Sequence, residues 1–245
     1  MTAPLVEFRG VSKRFGGVHA VQDMNLSLYA GEVVGLLGHN GAGKSTLMKL
    51  LSGALVLDEG EIRVDETAVR IRSPRDARAL GIETLYQTLA LADNLGAAAN
   101  VFLGRELRTV LGTLDDLGME RAARAVIERL DPSFPDVRHP VRQLSGGERQ
   151  CVALARAVHF QARVLIMDEP TAALGPEETR KVGELIRRLA ADGLGILLVS
   201  HDLQDVFELA TRVAVMKNGR LVGTLPTSEL DRDQVLRMII GGEMP

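Results

Sequence analysis

The sequence predicts an α/β protein with a mainly parallel sheet, a small antiparallel sheet near the N-terminus and an inserted helical region. Three apolar runs carry the first part of this prediction: VVGLL at 33–37, VLIM at 164–167 and ILLV at 196–199. Each run is apolar on both faces, as a strand covered on both sides would be. Each also leads directly into polar residues. Because ligands bind beyond the carboxyl ends of the strands in such sheets, we expect the three segments to converge on one site.

The composition is that of an ordinary globular protein of one large or two small domains. The chain has 245 residues, of which 46% are hydrophobic and 25% charged. With 29 Lys and Arg against 32 Asp and Glu, the net charge is -3, so nothing favours nucleic acid or anionic lipid as the main partner. No leader pattern and no apolar run of roughly 18 residues is present, so a cytoplasmic chain is expected.

Two pairs of segments at the ends of the chain predict antiparallel structure. VEFRGVSKRF at 6–15 and VQDMNLSLYAGE at 21–32 alternate with a period near two, which predicts a small antiparallel sheet. RVAVMKNGRLVGTL at 212–225 predicts a hairpin that turns at Asn218-Gly219.

The most specific motif is GHNGAGKS at 38–45, which fits G-x-x-x-x-G-K-S between a strand and the apolar-periodic segment TLMKLLSGAL. Backbone amides in such a loop can surround phosphates, and the helix N-terminus adds positive partial charge. Lys44 can then reach the terminal phosphates, and the Ser45 hydroxyl can coordinate Mg²⁺. The alternative is a glycine-rich turn that only opens a helix, but the strand, spacing and helix together favour nucleotide binding.

Two acids and a histidine follow the second and third apolar runs. Asp168 is predicted to hold Mg²⁺, and Glu169 is predicted to polarise a water aimed at a γ-phosphate. Solvated strand-end charge is the alternative for such a pair, and the phosphate loop argues against it. His201 is predicted to contact the terminal phosphate, although a lone histidine is more often structural. For Gln87, spacing does not decide between sensing the metal or the water and plain surface polarity.

The region from about Ala92 to Val158 is predicted to be a mainly helical insert. It contains a helix at 117–130, a loop with three prolines at 131–141 and a second helix that opens at LSGGE. Ser145 and Glu148 form a possible capping box there. The single cysteine, Cys151, lies on the apolar face of that helix and excludes an intrachain disulfide. Ser-Gly-Gly is either a plain helix start or a second anion site.

A further helix is predicted after the acid pair. Gly175 suits the N-cap, Pro176 the first helical position, and Glu177 and Glu178 the positive end of the helix dipole. Substituting Gly for Asp at an N-cap costs only about a few tenths of a kcal/mol, so the fold tolerates glycine there.

The set GHNGAGKS, Gln87, LSGGE, LIMDEP and SHD resembles, in order and approximate spacing, the ATP-binding cassette (ABC) ATPases over nearly the whole chain. The resemblance implies one nucleotide-binding domain over 1–245, with a P-loop NTPase core and an inserted helical subdomain at about 92–158 that holds LSGGE. It also implies a head-to-tail homodimer, in which LSGGE of one subunit closes over ATP held by the other.

Residue roles follow from the same resemblance. Glu169 is the base, His201 touches the γ-phosphate, and Gln87 senses the metal and the water. Ser45, Gln87 and Asp168 are the implied Mg²⁺ residues. The implied ATP contacts are Phe15, which would stack on adenine although by itself it would pass for a core residue, together with Gly38, His39, Asn40, Gly41, Ala42, Gly43, Lys44, Ser45, Thr46, Ser145, Gly146, Gly147 and Glu148.

Within the family, FLGRE at 102–106, SPRDARALGIETLYQ and EPTAALG are similar to the ATPase subunits of monosaccharide importers, especially the single-cassette fructose- or xylose-type subunits. This implies two permease subunits, an extracytoplasmic sugar-binding protein reached through them, and a peripheral position on the cytoplasmic face of the membrane. The permease contact is expected near 87–106. Glu148 replaces the commoner Gln, and Gly175 stands where much of the family has Asp.

Two other functions are compatible with the motifs. One is an ABC ATPase for another solute such as an amino acid. The other is a regulatory nucleotide-binding module that does not transport. Cassette proteins that act on nucleic acid are disfavoured, because the chain has no second cassette, no long coiled-coil insert and no basic excess.

Overall fold

The computed structural model describes residues 3–244. The chain divides into two compact units. The first consists of Met1–Thr84, Arg163–Glu169 and Ile186–Pro245, and the second of Leu85–Ala162 and Pro170–Leu185. The polar segments that follow the three predicted strands lie in the first unit, except that the segment after the second strand passes into the second unit at Pro170.

The first unit contains an antiparallel sheet at the N-terminal side, as predicted. Its strands are β1 (Val6–Phe15), β2 (Val18–Leu28), β4 (Glu59–Val64) and β5 (Thr67–Val69). Strand β3 (Val33–Leu37), which lies between β2 and β4 in the chain, belongs to the second sheet. The strands of the antiparallel sheet are ordered β2-β1-β4-β5, and each neighbouring pair is antiparallel. The predicted strand at 21–32 is wrong at its end, because β2 stops at Leu28 and the side chain of Glu32 accepts a hydrogen bond from the Tyr29 amide, closing a turn.

The second sheet has six strands in the order β10-β9-β3-β8-β7-β6. The additional strands are β6 (Ile82–Leu85), β7 (Val164–Asp168), β8 (Gly195–Val199), β9 (Arg212–Lys217) and β10 (Arg220–Pro226). Pairing is parallel between β3 and β8 and between β7 and β8, as the apolar runs predict. It is also parallel between β3 and β9, which the sequence did not predict. β9 and β10 form the predicted hairpin around Asn218-Gly219.

The first unit also carries short helices. These are α1 (Lys44–Leu51), α2 (Pro74–Ala79), α7 (Leu203–Leu209) and α8 (Arg232–Gly241). The apolar face of α1, formed by Leu47, Met48, Leu50 and Leu51, joins the buried side chains of both sheets in one core. Burying this face fixes the start of α1 directly beyond the carboxyl end of β3.

The second unit is helical. It contains α3 (Ala97–Phe102), α4 (Asp116–Leu130) and α5 (Gly146–His159), and α6 (Pro176–Ala191) begins in it. The fully buried ring of Phe102 packs edge-on against His159 and Phe160, with ring centroids 4.5 Å and 6.0 Å away. The proline-rich loop lies between α4 and α5 as predicted, with a 3₁₀ turn at Val141–Gln143 before α5. Helices α3 and α4, and α5 up to its last residue, lie within the region of about 92–158 predicted to be helical, whereas α6 lies beyond it.

The helix α6 begins where the sequence predicts. The Gly175 carbonyl accepts a hydrogen bond from the Thr179 amide at 2.9 Å, so Gly175 is the N-cap. The apolar face of α6 is fully or almost fully buried and consists of Val182, Leu185, Ile186 and Leu189.

No helix within residues 3–244 is both long enough and apolar enough for a membrane crossing.

Candidate active site at the carboxyl ends of three strands

The ends of β3, β7 and β8 open into one cleft of the first unit, of about 350 Å³. Most of the predicted site residues of this unit line it. They are Phe15, Asn40, Gly41, Ala42, Gly43, Lys44, Ser45, Thr46, Asp168, Glu169 and His201, joined by Ala20 and Val199. The predicted convergence of the three segments is therefore present in the structure.

The phosphate loop has its shape because its glycines touch backbone from other strands. Gly43 has φ +107°, and a Cβ built on it would lie 2.3 Å from the Ala20 carbonyl oxygen. A Cβ on Gly38 would lie 2.3 Å from the Met216 carbonyl oxygen. Any side chain at either position would push the loop away from β2 or β9. Gly38 and Gly43 are thus required by close packing against these strands.

The start of α1 carries no anion from its own sequence. Its N-cap, Gly43, makes no side-chain cap hydrogen bond, and no acidic residue lies in the first turn. The first amides of an α-helix have no partner within the helix. Together with the helix dipole, they form a site suited to an external anion.

Lys44 lies across this loop. Its Nζ donates hydrogen bonds to the carbonyl oxygens of Gly38, at 2.5 Å, and His39, at 3.1 Å. Burial lowers the pKa of the Lys44 ammonium, while the carboxylates of Glu169 and Asp168 oppose that effect. The cation is therefore partly desolvated and held beside the loop, where an approaching phosphate can compete for it.

The turn between β9 and β10 grips the phosphate loop, which sequence reasoning did not predict. The Gly219 amide donates to the Ala42 carbonyl at 2.9 Å, and the Gln22 amide donates to the Gly219 carbonyl at 2.7 Å. The side-chain amide of Asn218 lies 3.2 Å from Nε2 of His39. The Asn-Gly pair predicted the turn, but no local signal indicated what the turn contacts.

The two acids at the end of β7 differ in backbone and in environment. Burial, and then the neighbouring Glu169, raises the pKa of the Asp168 carboxyl, and Lys44 and Lys49 oppose that rise. Glu169 has φ +50°, a conformation that costs a non-glycine residue about 1–3 kcal/mol. Its amide donates to the Val199 carbonyl at 2.8 Å, which fixes the end of β7 to β8.

Glu169 and His201 form a pair. Nδ1 of His201 lies 2.8 Å from Oε1 of Glu169, and because an ionised carboxylate only accepts, the Nδ1–H of His201 is the donor. The imidazole is 70% exposed and the carboxylate 25% exposed. The histidine thereby orients the carboxylate and leaves its own Nε2 for another contact.

Phe15 stands at the end of β1 and lines the cleft with 48% of its surface exposed. The alternative of a core residue is therefore wrong for this side chain. Nζ of Lys13 lies 5.7 Å from the ring centroid. An exposed aromatic face beside a phosphate loop can stack on a planar base.

The donor set of the cleft fits Mg²⁺. Hydroxyl and carboxylate oxygens are the ligands this ion prefers, and it usually takes only one or two carboxylates together with phosphates and waters. Ser45 and Asp168 supply such oxygens, and a cation beside Asp168 would offset the burial and repulsion that raise its pKa. Among residues 3–244, no group of three or more His, Cys, Asp or Glu is placed to hold a metal ion.

Other predicted site residues lie in the second unit. Ser145 and Glu148 form the predicted capping box at the start of α5: the Ser145 amide donates to Oε2 of Glu148 at 2.7 Å, and the Glu148 amide donates to Oγ of Ser145 at 3.3 Å. Gly146 and Gly147 are the first residues of this helix. Gln87 is exposed and follows β6. Its metal- and water-sensing role stays a prediction.

Cys151 is not part of any reactive site. It is buried on the apolar face of α5, as predicted, and burial raises the pKa of its thiol to about 12. A thiol that stays protonated is a poor nucleophile.

A larger groove of about 690 Å³ runs along α8. Its lining includes the exposed side chains of Leu236, Ile240 and Met244, without a glycine-rich loop or paired acids. Because catalysis needs convergent polar groups, the smaller cleft is the candidate site.

The family model and the related sequences all indicate the same protein family. A family model described as ABC transporter matches residues 21–172. Ribose import ATP-binding protein RbsA 1 of Rubrobacter xylanophilus is 48% identical over 238 residues, covering 97% of this chain and 47% of the relative. A putative ribose/galactose/methyl galactoside import ATP-binding protein of Burkholderia lata is 44% identical over 242 residues, covering 98% of this chain and 47% of the relative. The chain spans about half the length of the curated relatives it matches.

Solved structures agree at the level of the fold. A crystal structure of an ATP-binding cassette of an ABC transporter in its ADP conformation matches with a TM-score of 0.84 and 23% identity, covering 98% of both chains. A nucleotide-free ATP-binding cassette matches with a TM-score of 0.81 and 23% identity, covering 97% of this chain and 95% of the other. At this identity the likeness concerns the fold alone.

Proposed function

The chain belongs to the ABC transporter family, and on that premise we propose that it binds MgATP and hydrolyses it as the ATPase subunit of a monosaccharide importer. The observation that carries the proposal is the cleft of the first unit, where the phosphate loop, Asp168, Glu169 and His201 converge beyond three neighbouring strands. ATP-binding proteins for ribose and galactose import are the relatives that favour a sugar as the solute.

ATP would bind through the loop and the exposed ring. The amides at the start of α1 would surround the phosphates, and Lys44 would exchange its loop carbonyls for phosphate oxygens. Phe15 would stack on the adenine. Because the loop is fixed by backbone packing around Gly43, the amides are held in place before the nucleotide arrives.

Ser45 and Asp168 would hold Mg²⁺, with Gln87 as a further contact. When bound, the ion would stabilise the negative charge that develops on the phosphate oxygens in the transition state. Lys44 and the loop amides would add to that stabilisation from the chain itself.

Hydrolysis would begin with a water held by Glu169. The carboxylate takes a proton from the water, whose oxygen attacks the γ-phosphorus while the bond to the bridging oxygen of ADP breaks. His201 would orient Glu169 through the 2.8 Å hydrogen bond and, when both ring nitrogens carry a proton, would donate from Nε2 to a γ-phosphate oxygen. The left-handed backbone of Glu169 supports this role, since strain of this kind concentrates at reactive positions.

A second copy of the chain would complete the site. The start of α5, formed by Ser145, Gly146, Gly147 and Glu148, would close over ATP held by the phosphate loop of the other copy in a head-to-tail homodimer. Closure would drive two permease subunits at the cytoplasmic face of the membrane, which receive sugar from an extracytoplasmic binding protein. The surface near 87–106 would contact the permease.

Phosphate release from the assembled transporter tests the proposal. Glu169→Gln removes the base and keeps the shape, so the rate should fall by about 10²- to 10⁴-fold while ATP binding is retained. Glu184→Gln, at an exposed position on α6 paired with Arg180, serves as the matched control and should hydrolyse at the wild-type rate.

Three results would change the proposal. Equal rates for wild type and Glu169→Gln would remove Glu169 as the base. ATP retained without turnover by the wild type, despite bound permease, would favour a regulatory module. Stimulation by an amino acid with its binding protein, and by no monosaccharide, would reassign the solute.

A further inference from the structure

The start of α5 is already in contact with an anion from the chain itself, the carboxylate of Glu178. Its Oε1 accepts a hydrogen bond from the Gly147 amide at 3.3 Å, and its Oε2 accepts one from the Gly175 amide at 3.2 Å. All three residues belong to the second unit. One carboxylate therefore joins the N-termini of two helices, α5 and its own helix α6.

The local sequence explains why Glu178 is free to reach α5. It is the third residue of α6, where a capping-box acid bonds the N-cap amide, and its Oε2 does so with Gly175. Its second oxygen is left for Gly147. The hydrogen bonds from Gly175 and then Gly147, with smaller contributions from Ser145 and Gly146, lower the pKa of the Glu178 carboxyl, so it is an anion at neutral pH.

Amide hydrogen bonds, rather than a cation of the same turn, hold this carboxylate. Of the basic residues that follow it, Arg180 pairs with Glu184 and Lys181 pairs with Glu177. Glu178 is only half-buried, so its side chain can swing out to water. A Cβ built on Gly147 would lie 3.6 Å from Cβ of Glu178, so the acid packs directly on the backbone of that residue. At Gly146 the nearest atom to such a Cβ is Cδ2 of Leu174 at 2.5 Å, and the carboxylate oxygens of Glu178 follow at 3.5 Å.

We propose that Glu178 competes with the nucleotide: its carboxylate holds the amide positions at the start of α5 until ATP on a second copy displaces it. This rests on the proposed function, in which those amides bind a phosphate. Two anions cannot share one amide, so the Glu178 carboxylate has to leave the Gly147 amide before a phosphate can bind there. The ATP concentration needed to pair two copies is therefore higher than the phosphate loop alone would set.

An alternative role for Glu178 is that of a helix cap that stays in place when ATP binds. The two roles differ in what removal of the charge does. Loss of a cap lowers stability and leaves the ATP requirement for pairing unchanged, whereas loss of a competitor lowers that requirement.

The experiment measures pairing of chains of residues 1–245 as ATP is titrated with Mg²⁺, by sedimentation, in a Glu169→Gln background that slows turnover. Glu178→Gln should lower the half-maximal ATP concentration by about two- to fivefold, the range for exposed charge effects. Glu177→Gln, which removes the adjacent acid of the same turn, is the matched control and should leave it unchanged. Glu178→Ala provides a second variant should Glu178→Gln fold poorly.

Two further measurements separate the possible failures. Fluorescent ATP binding to unpaired copies should be the same in all variants, because Glu178 is not part of its own chain's phosphate loop. If the background chain neither binds ATP nor pairs, the proposed function fails. If it pairs with ATP and the Glu178 variants need the same or more ATP, the competition fails and the proposed function stands.

Discussion

The two glycine-rich helix starts of this chain are built in opposite ways. The phosphate loop before α1 has no capping side chain and no acid in its first turn. The start of α5 has a capping box from Ser145 and Glu148 and a third contact from Glu178. At α1 the loop is shaped by backbone packing against Ala20 and Met216. At α5 the helix start is instead held by hydrogen bonds to side chains.

This difference indicates that a helix N-terminus is open to an external anion when the chain supplies no capping side chain and no acidic residue of its own there. Both starts have bare amides and a positive dipole end. At α1 these groups are left for a ligand, so ligand binding there adds hydrogen bonds that the chain does not make. At α5 the chain already satisfies part of them, so a ligand gains only the difference between its own bonds and those it replaces.

The largest effect is expected at Lys44, the cation at the start of α1. Lys44→Ala should weaken ATP binding by about 10- to 100-fold, because a hydrogen bond to a charged group contributes about 1.5–3 kcal/mol. Lys181→Ala, at an exposed position on α6 where it pairs with Glu177, is the control and should bind ATP normally. Binding of fluorescent ATP at equilibrium measures both. Equal affinities would break the assignment of α1 as the phosphate receptor.

The next effect contrasts the two kinds of support. Gly43→Ala should lower the free energy of unfolding by about 2 kcal/mol or more, because its φ is +107° and the Cβ would lie 2.3 Å from a carbonyl oxygen. Gly147→Ala should change stability by less than about 1 kcal/mol, since its Cβ would meet only Glu178 atoms at 3.6 Å or more. Urea unfolding of both variants decides this. Similar losses would contradict the contrast between backbone and side-chain support.

The sequence predicted elements well where the signal is local. The phosphate loop, the acid pair, the Asn218-Gly219 turn and the capping box at Ser145 each depend on a few adjacent residues. Strands β4, β5 and β6 and helices α2 and α7 are among the elements that were missed, because three to seven residues carry too little periodicity to stand out.

Contacts between distant segments could not be predicted from one sequence. Glu178 contacts Gly147 across 31 positions, and the turn after β9 contacts the phosphate loop across 179. No propensity or spacing rule encodes such pairs. The contact of Glu178 with the start of α5 and the contact of Gly219 with the phosphate loop are therefore visible only in the structure.

A smaller effect is expected at the cap of α5. Ser145→Ala removes the side chain that accepts from the Glu148 amide, so the free energy of unfolding should fall by about 1 kcal/mol. Ser133→Ala, in the loop after α4, is a surface control that does not cap α5. Thermal unfolding of the two variants provides the comparison. A loss at Ser145 no larger than at Ser133 would show that Glu148 and Glu178 suffice to hold the helix start.

The smallest effect on stability is expected at the N-cap of α6. Gly175→Asp should change the free energy of unfolding by only about a few tenths of a kcal/mol, because Asp and Gly are both accepted as N-caps. A Cβ there would lie 4.0 Å from Oε2 of Glu178, so the new carboxylate would repel the existing one. The cooperativity of hydrolysis with ATP concentration should therefore change. Unchanged cooperativity would contradict a role for this position in coupling two copies.

The pairing of β3 has a consequence for synthesis of the chain on the ribosome. Val34 pairs with Leu197 on one side and with Arg212 on the other, and Ala42 accepts its hydrogen bond from Gly219. At about 5–20 residues per second, the loop emerges roughly ten seconds or more before the turn that grips it. A nascent chain released before Asn218 would carry the whole GHNGAGKS motif and still lack the turn that holds it in shape.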